Sequence, residues 1–339
     1  MKKIFIGVDF SKLTFDAVLI EDVNTSLTAH QSFSNDLCGY DAFINWIKDH
    51  TQLSIHYWLV CGENTGLYSY CLTEYLNKAC IDIWLENPLQ IKRSLGIIRG
   101  KSDKVDALRI AMYAYRFRDK AKSTKIREQI LQQVSDLMTY RTRLIEVKNA
   151  LLIPANELFR VRQDQSAEYI HWETQNQVCY FDKIIKEVEC HVNKLLSQDN
   201  LLYQNYKLIT SIKGIAFVNA VMVMVLTNNF TNFTDPRKFG SYCGVVPFSH
   251  TSGTSIKYKD RVSHLANKKM KKYLTQAARA AVIHDPKIRD YYIRKLQDGK
   301  DRALVINNVR NKLIHKIFGV IKTRKPYDSN YTSTPKNAA

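Results

Sequence analysis

The stretch KKIFIGVDFS at residues 2–11 decides the fold of the first part of the chain. It is a short run of β-forming residues that ends in an aspartate and a small polar turn. Two similar runs follow it, TFDAVLIE at 14–21 and SLTAHQSFS at 26–34. Such runs, separated by turn-length links, predict an antiparallel meander of three strands.

The segments after this meander alternate between helix and strand patterns. A helix is predicted over residues 39–48. The next patterns read strand, helix and strand, at HYWLVCGE (56–63), GLYSYCLTEYLNKA (66–79) and IDIWLE (81–86). Pro88 begins a further helix that gives way near residues 96–100, and another helix starts at Asp103. Three strands, a helix and then alternating strands and helices is the order of a ribonuclease H-like fold.

The charge of the chain is unevenly distributed. Its formal net charge is +18, yet residues 1–90 carry 5 Lys and Arg against 11 Asp and Glu. From residue 250 to the end there are 21 basic and 6 acidic side chains. A lysine-rich solvated surface would explain the excess but not this asymmetry. The pattern predicts a carboxylate-bearing head and a body that binds a polyanion.

The cysteines and the apolar runs indicate a cytoplasmic protein without a membrane span. The seven cysteines are odd in number and show no metal-ligand spacing, which predicts reduced residues used mostly in packing. The longest apolar run, IAFVNAVMVMVL at 215–226, is too short to cross a bilayer. No zinc site is expected.

The middle of the chain, from residue 124 to about 198, predicts two long helices. Apolar residues recur there at steps of three and four, as in the seam of a two-helix coiled coil. The residues of this predicted seam are Ile130, Val134, Leu137, Leu144, Leu151, Val178, Phe181, Ile185, Val188, Val192 and Leu195. Pro154 and the polar stretch at 162–177 are expected in the break between the two helices.

The last part of the chain is predicted to be mainly helical and basic. LITSIKGIAFVNAVMVMVL (208–226) reads helix, glycine turn, helix, which fits either a helix-hairpin-helix grip on phosphates or simple core packing. Residues 235–261 are predicted to be rich in loops. Three basic helices follow, at 264–284, 286–296 and 301–322. The tail after Lys325 is expected to be disordered.

Four acidic residues are candidates for metal ligands. Asp9 and Glu63 each end a core strand, and strands one and four are neighbours in a ribonuclease H-like sheet. Asp103 and Asp106 share one face of a helix start, where Ser102 or Asp103 could also act as an N-terminal cap. Four clustered carboxylates repel one another unless a divalent cation neutralises them. Oxygen ligands favour Mg²⁺ or Mn²⁺, and two such ions suit phosphoryl transfer.

A second candidate site is TSGTSIKYKDR at 251–261. Ser252 precedes a glycine, and three basic residues, Lys257, Lys259 and Arg261, follow. No serine-hydrolase pattern surrounds Ser252, so its residues alone favour a phosphate-binding turn over a nucleophile. Tyr242 and Tyr258 could also attack phosphorus, but neither lies in a tyrosine-recombinase pattern.

Taken together, these motifs resemble the transposases of the insertion sequence 110 family, the DEDD-type group that includes the Piv DNA invertases. The resemblance covers nearly all of the chain in the family's order and spacing. It rests on IGVDFSK (6–12), CGENTGLY (61–68), GKSDKVDALRIA (100–111), SIKGIAFVNA (211–220), FGSYCGVVPFSHTSG (239–253) and RVSHLANKKMKKYL (261–274). Three positions depart from the family pattern, namely Asn64, His264 and Ala266.

The resemblance implies an α/β plus α architecture with a RuvC-like, ribonuclease H-like N-terminal domain. The expected divisions are a RuvC-like DEDD domain (1–122), coiled-coil helices (123–200), a C-terminal transposase domain (201–325) and a disordered tail (326–339). It also implies that Asp9, Glu63, Asp103 and Asp106 form the metal-binding tetrad. Ser252 is implied to be the nucleophile, forming a covalent phosphoserine link with DNA.

The resemblance further implies the partners of the chain. They are double-stranded donor and target DNA, a structured noncoding bridge RNA, and further copies of the chain in a dimer that assembles to a tetramer. The expected nucleic-acid contacts are Lys101, Lys104, Lys213, Lys257, Lys259, Arg261, Lys268, Lys269, Lys271 and Lys272. Three alternatives stay open: a site-specific invertase, a Holliday-junction nuclease that uses activated water, and a non-enzymatic scaffold that binds RNA or DNA.

Overall fold

The structure is a computed structural model. It describes residues 1–21, 29–94, 102–252 and 256–328. At residues 249–252 and 256–261 it describes the backbone only. The chain divides into two compact units, Met1–Ile126 and Arg127–Ala339. No helix in the described ranges is both long and apolar enough to cross a membrane.

The first unit is built on a five-stranded sheet with the strand order β3-β2-β1-β4-β5. The strands are β1 (Ile4–Phe10), β2 (Thr14–Glu21), β3 (Ala29–Ser34), β4 (Trp58–Glu63) and β5 (Ile83–Glu86). The first three strands are antiparallel, and β4 and β5 run parallel to β1. The structure confirms the predicted meander and the predicted neighbourhood of the first and fourth strands.

Four helices cover the two faces of this sheet. They are α1 (Leu37–His50), α2 (Leu67–Lys78), α3 (Pro88–Ser94) and α4 (Asp103–Arg116). Side chains alternate along a strand, so β1 sends Ile4, Ile6 and Val8 into the core with α1 and α2. Phe5 packs on the opposite face, in the core with α3 and α4. The α4 face of β1 therefore carries Phe5, Gly7 and Asp9.

Gly7 lets α4 lie directly against the sheet. A Cβ atom at this position would come within 2.1 Å of the Ala107 carbonyl oxygen and 2.3 Å of the Ala111 backbone nitrogen. Both neighbours are backbone atoms, so neither can move aside by changing a rotamer. The position of α4, and of the acidic residues at its start, depends on this glycine.

The variant Gly7→Ala is therefore expected to lower the free energy of unfolding by about 3 kcal/mol, because overpacking a close backbone contact forces the helix away. Denaturant-induced unfolding of the first unit measures the change. Gly319→Ala serves as the control, because nothing lies within 4 Å of the new Cβ atom. Its helical position predicts an unchanged or slightly higher stability. A Gly7→Ala protein as stable as the wild type would contradict this account of α4 packing.

The second unit begins with a pair of long helices, α5 (Gln129–Val161) and α6 (Gln165–Gln198). They form an antiparallel hairpin, in which Arg141 pairs with Glu189 at 2.7 Å and Lys148 with Asp182 at 2.6 Å. The expected long break around Pro154 is wrong, because α5 continues through this residue and the turn occupies only residues 162–164.

The extension of both helices has local causes. Pro154 removes one backbone donor, while the rest of α5 remains packed along α6. Asp164 begins α6 by accepting a hydrogen bond from the Ala167 backbone nitrogen at 2.9 Å. Of the predicted seam, six residues are buried: Val134, Leu144, Ile185, Val188, Val192 and Leu195. Leu151 is 39% exposed, so the seam does not extend to the far end of the hairpin. A coiled coil in the strict sense remains a prediction.

The remainder of the second unit is a mainly helical domain. Its elements are α7 (Asn200–Thr210), α8 (Phe217–Thr227), α9 (Pro236–Tyr242), β6 (Phe248–Ser252), β7 (Ile256–Arg261), α10 (Lys268–His284), α11 (Pro286–Gln297) and α12 (Arg302–Thr323). The segment 235–261, predicted to be rich in loops, also contains α9 and a β-hairpin. Asp235 caps α9 and Pro236 begins it, a start signal that the surrounding turn residues obscured.

The helix, glycine turn, helix element is part of the core of this unit. Gly214 has a φ of +93°, and a Cβ atom there would meet the α10 backbone at Ala277 and Ala281. The α8 helix is buried along most of its length. Core packing therefore accounts for the apolar pattern, while Lys213 is exposed at the turn.

Two further expectations need correction. Five of the seven cysteines are exposed, and only Cys61 and Cys243 are buried packing residues; all seven are free thiols. Tyr327, which lies in the segment expected to be a disordered tail, donates a hydrogen bond to the buried Asp285 at 2.9 Å. Lys316 pairs with the same carboxylate at 3.1 Å. The rest of that tail, from residue 329, lies outside the described residues.

Candidate active site

The carboxyl edge of the first unit's sheet brings two of the predicted acids together. Val8 of β1 lies opposite Gly62 of the parallel strand β4. Asp9 and Glu63 are the next residues on these strands, so their side chains leave the sheet at the same edge and on the same face. This is the α4 face, because Gly7 lies two residues before Asp9.

The start of α4 supplies the other two acids. The Ser102 side chain accepts a hydrogen bond from the Val105 backbone nitrogen at 3.3 Å, which confirms that this residue caps the helix. Asp103 and Asp106 then fall in the first helical turn. Helix capping and a role for the acids are compatible, since different side chains perform them.

The pKa of Asp9 is affected by the charges of all three other acids. Partial burial raises the pKa of Asp9 to about 6, and the negative charges of Asp106, Glu63 and Asp103 contribute to the same shift. Burial, followed by the charge of Asp106, also raises the pKa of Glu63. The four side chains thus form one electrostatic cluster in which negative charge is costly.

In the described residues, the four carboxylates do not converge on a single point. Within the described ranges, no three His, Cys, Asp or Glu side chains stand together at metal-ligating distances. Asp106 instead pairs with Arg109 at 2.6 Å, one turn along α4. The donor set is made only of carboxylate oxygens and fits a hard divalent cation such as Mg²⁺ or Mn²⁺.

Two acids that the sequence analysis missed lie beside this cluster. Asp16 of β2 is directly opposite Asp9, and its Oδ1 atom lies in hydrogen-bond contact with His30 Nε2 at 2.8 Å. Glu86 of β5 is directly opposite Glu63. A signal for Glu86 was present, because strands β4 and β5 both end in a glutamate that is followed by an asparagine. Asp16 had no such signal, since only the strand register places it at the site.

The structure places Ser252 at the end of β6, in the second unit, while the four acids belong to the first unit. The side chains of Ser252, Tyr258 and the basic residues of β7 (Lys257, Lys259 and Arg261) lie outside the described residues. Lys101 lies outside them as well. The remaining predicted contacts are exposed, namely Lys104, Lys213, Lys268, Lys269 and Lys272, except that Lys271 is half-buried.

Two of these lysines have neighbours that limit their role. Lys269 pairs with Glu146 of α5 at 3.1 Å, an exposed contact of small energetic value. Burial, together with the charge of Arg310, lowers the pKa of Lys271. The exposed face of α10 therefore presents Lys268 and Lys272 most directly to solvent.

The raised pKa of Asp9 predicts a pH-dependent effect on stability. An acid whose pKa is higher in the folded state stabilises the fold below its ordinary pKa of 3.8, and this contribution is lost as the pH rises through about 6. In metal-free protein, Asp9→Asn should thus raise the melting temperature at pH 8 by about 2–4 °C. The gain should vanish near pH 4. Calorimetry across this range checks it, and a variant less stable than the wild type at pH 8 would contradict the cluster.

Comparisons with known proteins define the class of this chain. One transposase family model, of the DEDD type of IS110, matches residues 6–154, and a second, described as the transposase IS116/IS110/IS902 family, matches residues 206–293. The two matched regions contain the four acids and Ser252, respectively. Because both matched regions are transposase domains, the class of this protein is that of the transposases. It belongs to the IS110 family of transposases.

Individual relatives agree with this assignment. The pilin gene-inverting proteins of Moraxella lacunata and Moraxella bovis are each 26% identical over 335 residues, covering 97% of this chain and 98% of theirs. An uncharacterized 43.6 kDa protein of insertion element IS110 from Streptomyces coelicolor is 25% identical over 154 residues, covering 45% of this chain and 37% of its own. T. thermophilus RuvC, solved in complex with Holliday junction substrate, aligns with a TM-score of 0.27 and 13% identity, over 36% of this chain and 99% of RuvC.

Proposed function

We propose that this transposase is a metal-dependent, serine-using DNA recombinase that cuts and exchanges DNA strands. Its N-terminal unit acts as a RuvC-like domain in which Asp9, Glu63, Asp103 and Asp106 hold Mg²⁺ or Mn²⁺. The observation that carries the proposal is the placement of Asp9 and Glu63 at the ends of adjacent parallel strands, on the face against which α4 packs. The pKa of Asp9, raised by burial and by the three other acids, agrees with this placement. A partly buried edge that carries four carboxylates is unfavourable without a cation.

The backbone fixes the positions of the four carboxylates, and Arg109 offsets part of their negative charge. Asp9 and Glu63 are fixed by adjacent parallel strands, and Asp103 and Asp106 by a helix that rests on Gly7. Arg109 neutralises part of the charge through its contact with Asp106. Bound divalent ions would stabilise the charge that develops on phosphate oxygens during phosphoryl transfer.

Ser252 is proposed as the nucleophile. Its hydroxyl oxygen forms a bond to the DNA phosphorus, the bridging deoxyribose oxygen leaves, and the serine proton passes to that oxygen. The oxygen of a second DNA hydroxyl then bonds to the phosphorus, the serine oxygen leaves, and the proton of that hydroxyl passes to it, which restores the serine and the phosphodiester. The number of phosphodiester bonds is unchanged, so the exchange needs no external energy source. The family match over residues 206–293, which includes Ser252, supports this assignment.

The nucleic-acid partners are proposed to be donor and target DNA and a structured bridge RNA. This proposal is supported by the basic C-terminal part of the chain, which has 21 basic and 6 acidic side chains from residue 250 onward. RNA guidance delegates sequence reading to base pairing and leaves the protein with backbone contacts. The chain is proposed to act as a dimer that assembles to a tetramer, with composite sites joining units of different copies.

Site-specific inversion is the second candidate function. It is favoured by the similarity to the pilin gene-inverting proteins, which extends over 97% of this chain. Transposition and inversion use the same strand-exchange chemistry, so the four acids and Ser252 have the same roles in both.

One experiment tests the proposed function. The full-length protein, purified with any RNA that accompanies it, is incubated with supercoiled DNA that contains the native flanking sequences, with Mg²⁺ or with EDTA. We expect a discrete RNA in the purified protein, and recombined DNA in the Mg²⁺ sample but not in the EDTA sample. Recombination in EDTA would contradict the metal dependence, and recovery of no discrete RNA under mild salt would contradict RNA guidance.

A further inference from the structure

A cavity in the first unit lies next to the acidic edge and has no assigned role. Its volume is about 420 Å³, within the range of small-ligand sites of about 300–1,000 Å³. It is lined by residues of β5, α3, α4 and the turn after α4. Its lining includes Trp84, Glu86, Arg93, Tyr113, Phe117 and Lys120.

One wall of this cavity is aromatic. The ring centroids of Trp84 and Tyr113 lie 5.2 Å apart, and those of Tyr113 and Phe117 lie 4.8 Å apart. Trp84 and Tyr113 are fixed in the core, with 6% and 7% of their surface exposed, while Phe117 is half-buried. A row of rings on a rigid support is suited to a flat, polarizable ligand such as a nucleobase.

The rim of the cavity is cationic. Arg93, near the end of α3, and Lys120, in the turn after α4, are both exposed. The Lys120 ammonium lies 5.3 Å from the centre of the Phe117 ring. Cations beside an aromatic wall match the pattern of single-stranded nucleic-acid sites, in which bases stack on rings and charged groups contact the phosphates.

A fixed carboxylate completes the site. One Glu86 oxygen accepts a hydrogen bond from the Asn87 backbone nitrogen at 2.7 Å, and the other accepts one from the Tyr113 hydroxyl at 3.2 Å. A carboxylate has about four acceptor positions, so further N–H donors can be bound. Every nucleobase carries such donors on its pairing edge, and base pairing in a duplex uses them.

We infer that this cavity binds one unpaired nucleotide, extruded from its strand, with its base on the aromatic wall and its flanking phosphates at Arg93 and Lys120. Glu86 lies opposite Glu63 in the register of the neighbouring strands β5 and β4. The extruded nucleotide therefore lies one strand away from the acidic cluster. Stacking on Phe117 and a hydrogen bond to Glu86 both require the base to leave the duplex stack. The inference rests on the proposed function and identifies how that site holds a strand near the point of cleavage.

The test measures binding of short single strands that contain one 2-aminopurine, whose fluorescence falls when the base stacks. The full-length wild type, Phe117→Leu and Arg93→Ala are compared on a DNA strand, on the same strand in RNA, and on a duplex. Lys92→Ala is the matched control, because it removes a neighbouring exposed cation of α3 that does not line the cavity.

Both cavity variants are expected to weaken single-strand binding about tenfold, with little change on the duplex. Phe117→Leu should also abolish the fluorescence change. Arg93→Ala should keep that change but reduce the slope of log affinity against log salt by about 0.7. Lys92→Ala should keep the fluorescence change and most of the affinity. A loss confined to DNA or to RNA identifies the source of the nucleotide.

The inference is overturned if Phe117→Leu and Arg93→Ala both bind the two single strands as Lys92→Ala does. Because Arg93 is exposed, its replacement leaves the fold intact, and equal melting temperatures confirm this. The test is separate from that of the proposed function, because strand binding is measured without Mg²⁺ and without recombination. If strand exchange fails, the measured binding of single strands is unaffected. If the cavity does not bind a nucleotide, the measured strand exchange is unaffected.

Discussion

Replacing Asp106 with asparagine is expected to reduce strand exchange by about a thousandfold or more. Asp106 is the acid whose charge raises the pKa of both Asp9 and Glu63. Losing a metal ligand removes several kcal/mol of charge stabilisation in the transition state, and about 1.4 kcal/mol corresponds to a factor of ten in rate. The initial rate of recombined product in Mg²⁺ measures the effect.

Asp119→Asn is the matched control for this variant. Asp119 is an exposed acid of the same unit, in the turn after α4, and lies outside the acidic cluster. It should recombine DNA at close to the wild-type rate. Both variants should bind DNA as the wild type does, because neither removes a positive charge. Wild-type strand exchange by a well-folded Asp106→Asn protein would remove this residue from the proposed site.

The second large effect is expected at Ser252. If its hydroxyl forms the covalent link to DNA, Ser252→Ala should abolish both strand exchange and the protein–DNA adduct, since no other oxygen replaces the nucleophile. Denaturing electrophoresis with labelled DNA detects the adduct, and peptide mapping locates it. Ser197→Ala, an exposed serine at the end of α6, should form the adduct normally.

The same variant separates the proposed recombinase from a junction nuclease. A RuvC-like nuclease hydrolyses DNA with an activated water and needs no protein nucleophile, so Ser252→Ala would still cut DNA in Mg²⁺. Cleavage without an adduct would therefore favour the nuclease, and an adduct that maps to Tyr242 or Tyr258 would favour a tyrosine nucleophile. Only an adduct at Ser252 supports the proposed serine-using recombinase.

The sequence predicted the first unit closely because burial leaves a periodic pattern there. β2 was predicted at its observed bounds, 14–21, and α4 at its observed start, Asp103. Alternating apolar residues reveal a strand that is packed on the sheet, and a serine before a helix reveals its cap. The adjacency of Asp9 and Glu63 followed from the strand order alone.

The features that were missed depend on contacts between distant segments. Asp16 and Glu86 join the acidic edge through strand register, which no local pattern encodes. Pro154 remains helical because a partner helix supports α5, although local preference favours a break. The cavity brings together side chains from β5, α3 and α4, so only the packed sheet and helices could reveal it.

The four acids at the carboxyl edge are proposed to form one divalent-metal site. The direct test is titration of the metal-free, full-length protein with Mn²⁺, followed by electron paramagnetic resonance. We expect saturable Mn²⁺ binding that Mg²⁺ displaces, that strengthens as the pH rises through about 6, and that Asp9→Asn greatly weakens. Equal Mn²⁺ binding by the wild type and Asp9→Asn, or no binding at pH 8, would contradict it.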